Sequence, residues 1–318
     1  MHYSVVVPAY NELESLDELM AEILAASACW SGDFEIIFID DGSYDGTGAK
    51  LDALAEADGR VKVIHFLRHV GKADAYAAGF QAATGDIILT LDADLQDDPA
   101  EIPKLLRKLD EGYDLVIGWK QHRLENEPTK TIPSRFFNFM VYLIFGLRLH
   151  DSNSGFRAMR RAVAKSLDLY GDLHRFIPEL AHHKGFRVAE TGVEHRRRKY
   201  GVSKYGISRF WTSVLDLLTV RFLTGFTRKP LHFFGTLGLF PFLAGAGIET
   251  YVLVRKLMGD LFRTHIAAII IGVLLVMVGV QLIATGLIGE MISAQSRRRD
   301  YVARAARDQV RTARSPSP

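Results

Sequence analysis

Five apolar runs alternate with segments of helical period, and each run stops at a polar cluster. The runs cover residues 3–7, 34–40, 61–67, 86–91 and 114–118, with helical patterns near 13–28, 46–57, 73–83 and 100–110 between them. In the first pattern Leu13, Leu16, Leu19, Met20, Ile23 and Leu24 recur at spacings of three and four, the stripe of an amphipathic helix. Strands that are nearly continuous in Val, Ile and Leu must be covered on both faces. That predicts an α/β domain built on a mostly parallel sheet. In such sheets ligands bind outside the carboxyl ends of the strands, and the polar motifs of this chain all follow strands. From 131 to 195 the pattern is less regular, with helices expected at 132–147, 160–169 and 173–184 and a strand at 187–194.

The most pointed motif ends the fourth run: Asp92-Ala93-Asp94-Leu95-Gln96-Asp97-Asp98-Pro99. Two acids one residue apart at the end of a buried strand make a site for a hard cation such as Mg²⁺ or Mn²⁺ carrying a diphosphate. Pro99 opens a helix, for which Asp97 or Asp98 is the expected cap. The first run ends in Val7-Pro8-Ala9-Tyr10-Asn11-Glu12, where a tyrosine ring can stack on a nucleobase and a carboxylate can accept from a base or ribose; Asn11 and Glu12 can equally open the next helix. The second ends in Asp40-Asp41-Gly42-Ser43-Tyr44-Asp45-Gly46-Thr47. Asp45 and Gly46 suit a turn, whereas adjacent Asp40 and Asp41 repel each other unless a ligand neutralises them. Arg68-His69-Val70-Gly71-Lys72 puts a glycine and basic residues at a helix start, which fits an anion. His69 reads as a loop residue, and the Walker spacing is absent. The single cysteine, Cys29, excludes an intramolecular disulfide and a cysteine-rich metal cluster. Its apolar helical setting predicts a core position.

Taken together, residues 7–12, 40–47, Gly71-Lys72-Ala73 and 92–96 resemble the inverting family 2 glycosyltransferases of GT-A fold. Asp151-Ser-Asn-Ser-Gly-Phe-Arg157 and Arg198-Lys-Tyr-Gly-Val-Ser-Lys-Tyr205 narrow the likeness to the polyisoprenyl-phosphate glycosyltransferases, the group of dolichol-phosphate mannose synthase, and to its bacterial two-helix type. The resemblance implies that Pro8, Tyr10 and Glu12, with Ile39 and Asp41, hold the donor nucleoside, and that Ala93 belongs to the donor site. Asp92 and Asp94, helped by Gln96, would bind Mg²⁺ or Mn²⁺ on the diphosphate. Arg198 and Lys204 would clamp donor phosphates. Lys120 stands where the mannose synthases carry arginine; it keeps the charge but lacks the bidentate fork. Arg135 is positioned like the arginine that meets the lipid phosphate, with Arg123 either assisting or solvated. Asp151 is a candidate base or orienting acid beside the acceptor. Relatives of this architecture suggest a homo-oligomer.

The carboxyl-terminal third has a different character. Leu231–Val254 holds one charge, Glu249, and Ile266–Ile288 holds none, so each run can span a hydrocarbon core of about 30 Å. Pro241 and several glycines are tolerated in a bilayer. Segment 207–226, with Phe210, Trp211, Leu215, Leu218, Phe222 and Phe226, reads either as an interfacial helix or as a packed core helix. The joining loop, Arg255–His265, carries three lysines or arginines against eight in the flanks 211–230 and 290–307. The positive-inside rule therefore places both ends in the cytoplasm. Glu249 is a packing contact or an interfacial residue near the outer end. From Arg297 onward seven arginines face only Asp300 and Asp308, in a chain whose net charge is +2. That tail suits anionic headgroups, or is a solvated topogenic signal. Met1-His2-Tyr3-Ser4 leads straight into the first run, so no secretory signal is expected. The expected organisation is a cytoplasmic GT-A domain (1–206), an amphipathic juxtamembrane segment (207–230), a transmembrane hairpin (231–289) and a basic cytoplasmic tail (290–318), in the inner membrane.

The function so implied is transfer of a sugar from a nucleoside diphosphate to a polyprenyl phosphate at the bilayer. Two alternatives use the same motifs. A processive polysaccharide synthase would normally add a Gln-x-x-Arg-Trp element and further spanning helices, neither of which is found. A silent scaffold that binds nucleotide sugar would not need the intact acid pair. Residues 195–209 hold six lysines or arginines and no acids. Gly201 and Ser203 interrupt that run, which fits a loop over phosphates better than a nucleic-acid face, and no nucleic-acid partner is expected.

Overall fold

The structure is a computed structural model that describes residues 1–120, 141–142, 145–194, 196, 219–220, 230–259 and 261–313, excluding the side chains of 262 and 295–313. It divides into two compact units, Met1–Val220 and Arg221–Pro318.

The first unit is built on a seven-stranded sheet. Its strands are β1 (His2–Ala9), β2 (Asp33–Asp40), β3 (Val61–His65), β4 (Ile87–Thr90), β5 (Leu115–Lys120), β6 (Arg157–Arg160) and β7 (Val188–Val193), in spatial order β3-β2-β1-β4-β6-β5-β7. All neighbours run parallel except β6, which is antiparallel to both β4 and β5. The central strands are buried on both faces, as their unbroken apolar runs require: Val5, Val6 and Val7 are fully enclosed, as are Ile36 through Ile39. The helices that cover the sheet are α1 (Leu16–Ser27), α2 (Thr47–Ala57), α3 (Lys72–Ala82) and α4 (Ile102–Asp110), followed by the short α5 (Arg161–Ser166) and α6 (Ile177–His183). Helix α3 approaches the sheet closely: a Cβ on Gly79 would lie 2.4 Å from Val6 Cγ1 and 2.9 Å from Ile39 Cδ1.

The expected elements through residue 120 all form, within a few residues at each end. Asp98 caps the 3-10 turn Pro99–Glu101 that leads into α4, accepting from Ala100 N–H at 2.9 Å. Two expectations are corrected. Cys29 is exposed, because α1 stops at Ser27 and the apolar face ends before the thiol. Strand β6 has no counterpart among the expected strands. Its sequence, Arg-Ala-Met-Arg, carries a charge at each end and shows no apolar run. Helix 160–169 shortens to Arg161–Ser166, and 173–184 becomes a 3-10 turn (Leu173–Phe176) followed by α6. The expected helix 132–147 lies mostly outside the described residues, as does most of segment 207–226.

Near the amino ends of β1 and β2, away from the motif loops, Glu35 is buried and fully engaged. It takes hydrogen bonds from Ser4 Oγ (2.5 Å), Lys62 Nζ (2.7 Å), Thr84 N–H (2.7 Å) and Thr84 Oγ1 (2.8 Å). Burial raises its pKa, but the hydrogen bonds from Lys62, Ser4 and Thr84 outweigh that and hold it at about 2.

The second unit contains two long helices, α7 (Pro230–Leu257) and α8 (Ile266–Ala313), joined through a 3-10 turn at Phe262–His265. Stretches Pro230–Leu257 and Arg263–Ala294 are each long and apolar enough to cross a membrane. Glycines let the two backbones meet: a Cβ on Gly238 would lie 2.7 Å from Gly279 O, one on Gly279 the same distance from Gly238 O, and one on Gly245 2.6 Å from Gly272 O. The outward side chains are large and apolar, Leu243, Val254, Leu274, Met277 and Ile288 among them.

Candidate active site

Motif loops gather at the carboxyl ends of β1, β2, β3 and β4, beside Lys120 at the end of β5. The β1 and β2 loops are stitched together. Asn11 adopts a left-handed conformation (φ 55°). Its N–H donates to Ser43 Oγ (3.0 Å), and its Oδ1 accepts from Tyr44 N–H (3.0 Å). Glu12 N–H donates to Thr47 Oγ1 (2.9 Å). Asn11 and Glu12 therefore build the loop and do not open α1, which begins at Leu16.

Asp40 and Asp41 do not wait for a ligand to relieve their repulsion; they turn to different partners. Asp40 accepts from Ser43 N–H (2.9 Å) and pairs with His65 Nδ1 (3.0 Å). Asp41 accepts from Val70 N–H (2.7 Å) and Gly71 N–H (3.0 Å) and pairs with His69 Nδ1 (2.8 Å). The loop after β3 is thereby fastened to β2, and glycine is needed at two points, one for close passage and one for backbone conformation. A Cβ on Gly42 would lie 2.3 Å from the Arg68 carbonyl carbon, and Gly71 has φ +126° immediately before α3. His69, read from the sequence as a plain loop residue, also stacks on Tyr10 at 4.1 Å between ring centroids, with Tyr44 edge-on to Tyr10.

Of the residues assigned to the nucleoside, Pro8 lies in register with Ile39 across β1 and β2. Ile39 is fully buried with its side chain towards Gly79 of α3, so a ligand in the loops would meet its backbone. Tyr10 and Glu12 are partly exposed in the loops beside them, and Asp41 is buried there. Ala93 is buried in the core between the two acids.

The acid pair follows β4. Asp92 Oδ1 is 2.6 Å from Lys72 Nζ at the start of α3 and 3.4 Å from the Tyr76 hydroxyl. Burial pushes the Tyr76 hydroxyl up to about 12, so it stays a donor at neutral pH. Asp94 is nearly buried and accepts from Gln96 N–H at 3.2 Å, across Leu95, which is left-handed at φ 60°. A branched apolar residue in that conformation is strained, and here its side chain is in the core. Gln96 O in turn accepts from Arg196 N–H (2.9 Å), and Arg196 is anchored by Glu22 (2.5 Å) and Asp98 (2.6 Å).

Lys120, at the end of β5, meets Asp97 at 3.0 Å, and that carboxylate is 2 % exposed. Burial draws the Lys120 pKa down, but Asp97, Asp92 and Asp151 together overcome it, and the ammonium is held more firmly than in water. Lys120 thus marks a point to which Asp92, Asp97 and Asp151 are all close. The loop ahead of β6 closes this group from the other side. Thr90 Oγ1 donates to Gly155 O (2.7 Å), and a Cβ on Gly155 would lie 2.8 Å from the Asp92 carboxylate. Behind the loop, Arg157 and Glu179 are enclosed, with Arg157 Nη2 donating to His174 O at 3.2 Å. Burial pushes the Glu179 carboxyl up to about 7 despite the nearby Ser152 hydroxyl and Arg157.

Asp92, Lys120 and Asp151 are thus close to one another, with Asp94 and Gln96 in the same loop as Asp92. Arg123, Arg135, Arg198 and Lys204 lie outside the described residues. Lys72 had been read only as a helix-start cation, and Asp97 only as a cap; their pairing with Asp92 and Lys120 has no signal in linear spacing. Tyr76 and Glu179 sit inside ordinary helical patterns and carry no sequence signal of their place, and Arg157 enters the sequence reading only as the last residue of the 151–157 motif. Among the described residues no three His, Cys, Asp or Glu side chains form a metal cage. Two carboxylates suit a cation that takes its remaining ligands from a diphosphate and water.

A mostly parallel sheet with an acid pair at the end of a central strand and lysines on both sides of it defines a glycosyltransferase of GT-A fold. The chain belongs to glycosyl transferase family 2, whose model matches residues 4–168. It is 35% identical over 298 residues to the dodecaprenyl-phosphate galacturonate synthase of Rhizobium johnstonii, covering 92% of this chain and 88% of that one. It is also 35% identical over 311 residues to the undecaprenyl-phosphate 4-deoxy-4-formamido-L-arabinose transferase of Klebsiella pneumoniae, covering 96% and 93%. Among solved structures, mannosyl-3-phosphoglycerate synthase from Rubrobacter xylanophilus superposes with TM-score 0.55 at 20% identity over 70% of this chain and 74% of that one. Glucosyl-3-phosphoglycerate synthase from Mycobacterium tuberculosis, in complex with Mn²⁺ and UDP-glucose, superposes with TM-score 0.52 at 22% identity over 69% and 78%. These two likenesses concern the fold.

Proposed function

We propose that this glycosyltransferase moves a sugar from a nucleoside diphosphate to a polyprenyl phosphate at the cytoplasmic face of the inner membrane, with inversion at the anomeric carbon. One observation carries the reading. Lys72 pairs with Asp92, and Lys120 with Asp97, in the loop that carries the acid pair Asp92/Asp94, in a chain similar over nine-tenths of its length to sugar transferases whose names specify polyprenyl-phosphate acceptors. Two helices long and apolar enough to span a bilayer, with large apolar side chains outward, support an acceptor drawn from the membrane.

Asp92 and Asp94, with Gln96, would hold Mg²⁺ or Mn²⁺, and the donor diphosphate would complete the coordination. Bound there, the cation supplies charge neutralisation for the leaving diphosphate. The chain's own groups do the rest. Pro8, Tyr10, Glu12 and Asp41 line the loops that would take the nucleoside. Lys120, fixed by Asp97, places a permanent positive charge beside the acid pair. Arg198 and Lys204 are assigned to the donor phosphates and Arg135 to the acceptor phosphate. Asp151, close to Lys120, orients the acceptor. A phosphate monoester is largely ionised near pH 7, its second pKa being about 6, so the nucleophile needs aiming more than deprotonation. One in-line displacement then inverts the anomeric centre.

The test incubates the full chain in membranes with undecaprenyl phosphate, a divalent cation and a panel of labelled nucleotide sugars. Label should enter the lipid phase from one donor only, and chelation of the cation should abolish it. Label in a polymer would mean a processive synthase. Donor binding with no transfer to the lipid would mean a scaffold.

A further inference from the structure

Lys72 joins the start of α3 to the acid loop after β4, a contact to which the proposed function gives no step of its own. Its Nζ lies 2.6 Å from Asp92 Oδ1, on the same oxygen that faces the Tyr76 hydroxyl, and 5.6 Å from the Tyr76 ring centroid. The Asp92 carboxylate is about one-quarter exposed and the Lys72 side chain about one-third, so the pair sits at the mouth of the site and not within the core. The neighbouring lysine is committed elsewhere: Lys120 is seated on the buried Asp97 carboxylate at 3.0 Å. The backbone under Lys72 is pinned, because the Val70 and Gly71 amides are bound to Asp41 and Gly71 turns the chain into α3. Above that fixed point the side chain is a flexible four-carbon stem ending in a compact charge. Its attachment point is the amino terminus of an eleven-residue helix, where backbone dipoles favour an anion.

We propose that Lys72 is a placeholder cation. It neutralises Asp92 while the donor site is empty, gives up that carboxylate when a divalent cation takes it, and turns to the diphosphate that arrives with the cation. It is a positioning residue whose one charge serves two partners in succession. The inference rests on the reading of Asp92 as a cation ligand, and it predicts effects of opposite sign on two ligands. A residue needed only for local structure would weaken both.

The experiment uses the full chain in detergent micelles and follows free Mn²⁺ by its electron paramagnetic resonance signal, first alone and then with inorganic pyrophosphate. Lys72→Met should bind Mn²⁺ alone about tenfold more tightly than the wild type, the order expected for removing one competing charge from a partly exposed pair. In the presence of Mn²⁺ the same variant should bind pyrophosphate about tenfold more weakly. Lys72→Arg, which keeps the charge, should compete with Mn²⁺ as the wild type does. Unchanged or weaker Mn²⁺ binding by Lys72→Met overturns the placeholder role. Asp92→Asn separates this from the underlying assignment. If it loses Mn²⁺ while Lys72→Met does not gain, only the placeholder fails. If it binds Mn²⁺ like the wild type, the cation assignment fails and the placeholder with it.

Discussion

Asp94 and Glu179 show two ways in which a carboxyl group can be used in one small volume. Asp94 is held in place by the Gln96 amide and the left-handed Leu95. Replacing it with asparagine keeps the shape and removes the charge. Asp94→Asn should therefore lower turnover by about 10³-fold, the cost of losing one well-placed electrostatic group. Its thermal midpoint should stay near that of the wild type; rates within a few-fold of wild type would refute the assigned role. Glu179 is fully enclosed and has its pKa raised by burial to about 7 from 4.5. Its contribution to stability is complete below pH 4.5 and is lost as pH climbs to about 7. His65, raised above 6.5 first by its hydrogen bond to Asp40, adds a loss of the same sign at higher pH. Glu35 runs the opposite way: with a pKa of about 2, its contribution is present above pH 4.5 and is lost as acid approaches pH 2. Denaturant titrations from pH 5 to 8 should show wild-type stability falling while Glu179→Gln falls less. Equal slopes would contradict the account, because the comparison cancels His65 and every other group.

At the scale of elements, the chain announces what repeats and conceals what is inserted. Strands β1 to β5 were legible because burial on both faces forces continuous Val/Ile/Leu runs, and the acids at their ends stood out against those runs. β6 was not legible. Its only apolar residues, Ala158 and Met159, lie between Arg157 and Arg160, and enclosure of Arg157 reverses the usual meaning of an arginine. Pairings made across elements, Lys72 with Asp92 and Lys120 with Asp97, depend on sheet order, which spacing along the chain does not encode. Ile39 and Ala93, which the resemblance assigns to the donor site, have their side chains in the core, so a donor would meet their backbone. The insertion of β6 yields a prediction of its own. Gly155 faces the Asp92 carboxylate at a distance that leaves no room for a Cβ. Gly155→Ala should displace that carboxylate and reduce turnover by roughly 10²-fold through misplacement, with a stability loss of about 1 kcal/mol or less. Turnover and melting measured together would check this, and intact turnover would show that the loop yields instead.

For the whole molecule, two kinds of close packing coexist in two units. In Met1–Val220 helices cover a sheet, and stability comes from apolar area removed from water. Among the described residues of Arg221–Pro318 many large apolar side chains face outward and glycines meet the facing backbone, so association of the helices relies on glycine-to-backbone contact. Gly245→Leu would drive a side chain into Gly272 O and Val276 and should separate α7 from α8. Cysteines placed across that seam should then cross-link readily in the parent chain and poorly in the variant; equal cross-linking would show that the seam is elsewhere. The hairpin was legible from length and composition alone, but its seam was not, because only paired coordinates reveal which glycines meet.

The reversed direction of β6 has one more consequence. Chain leaves the sheet at Lys120 and re-enters at Arg157, and both ends of that excursion are tied to the acid loop, one through Asp97 and the other through the Thr90 bond to Gly155. The carboxylates of that loop are thus braced twice, by the strand that runs out of the sheet and by the strand that runs back in, so a shift of either strand end is felt first at Asp92 or Asp97.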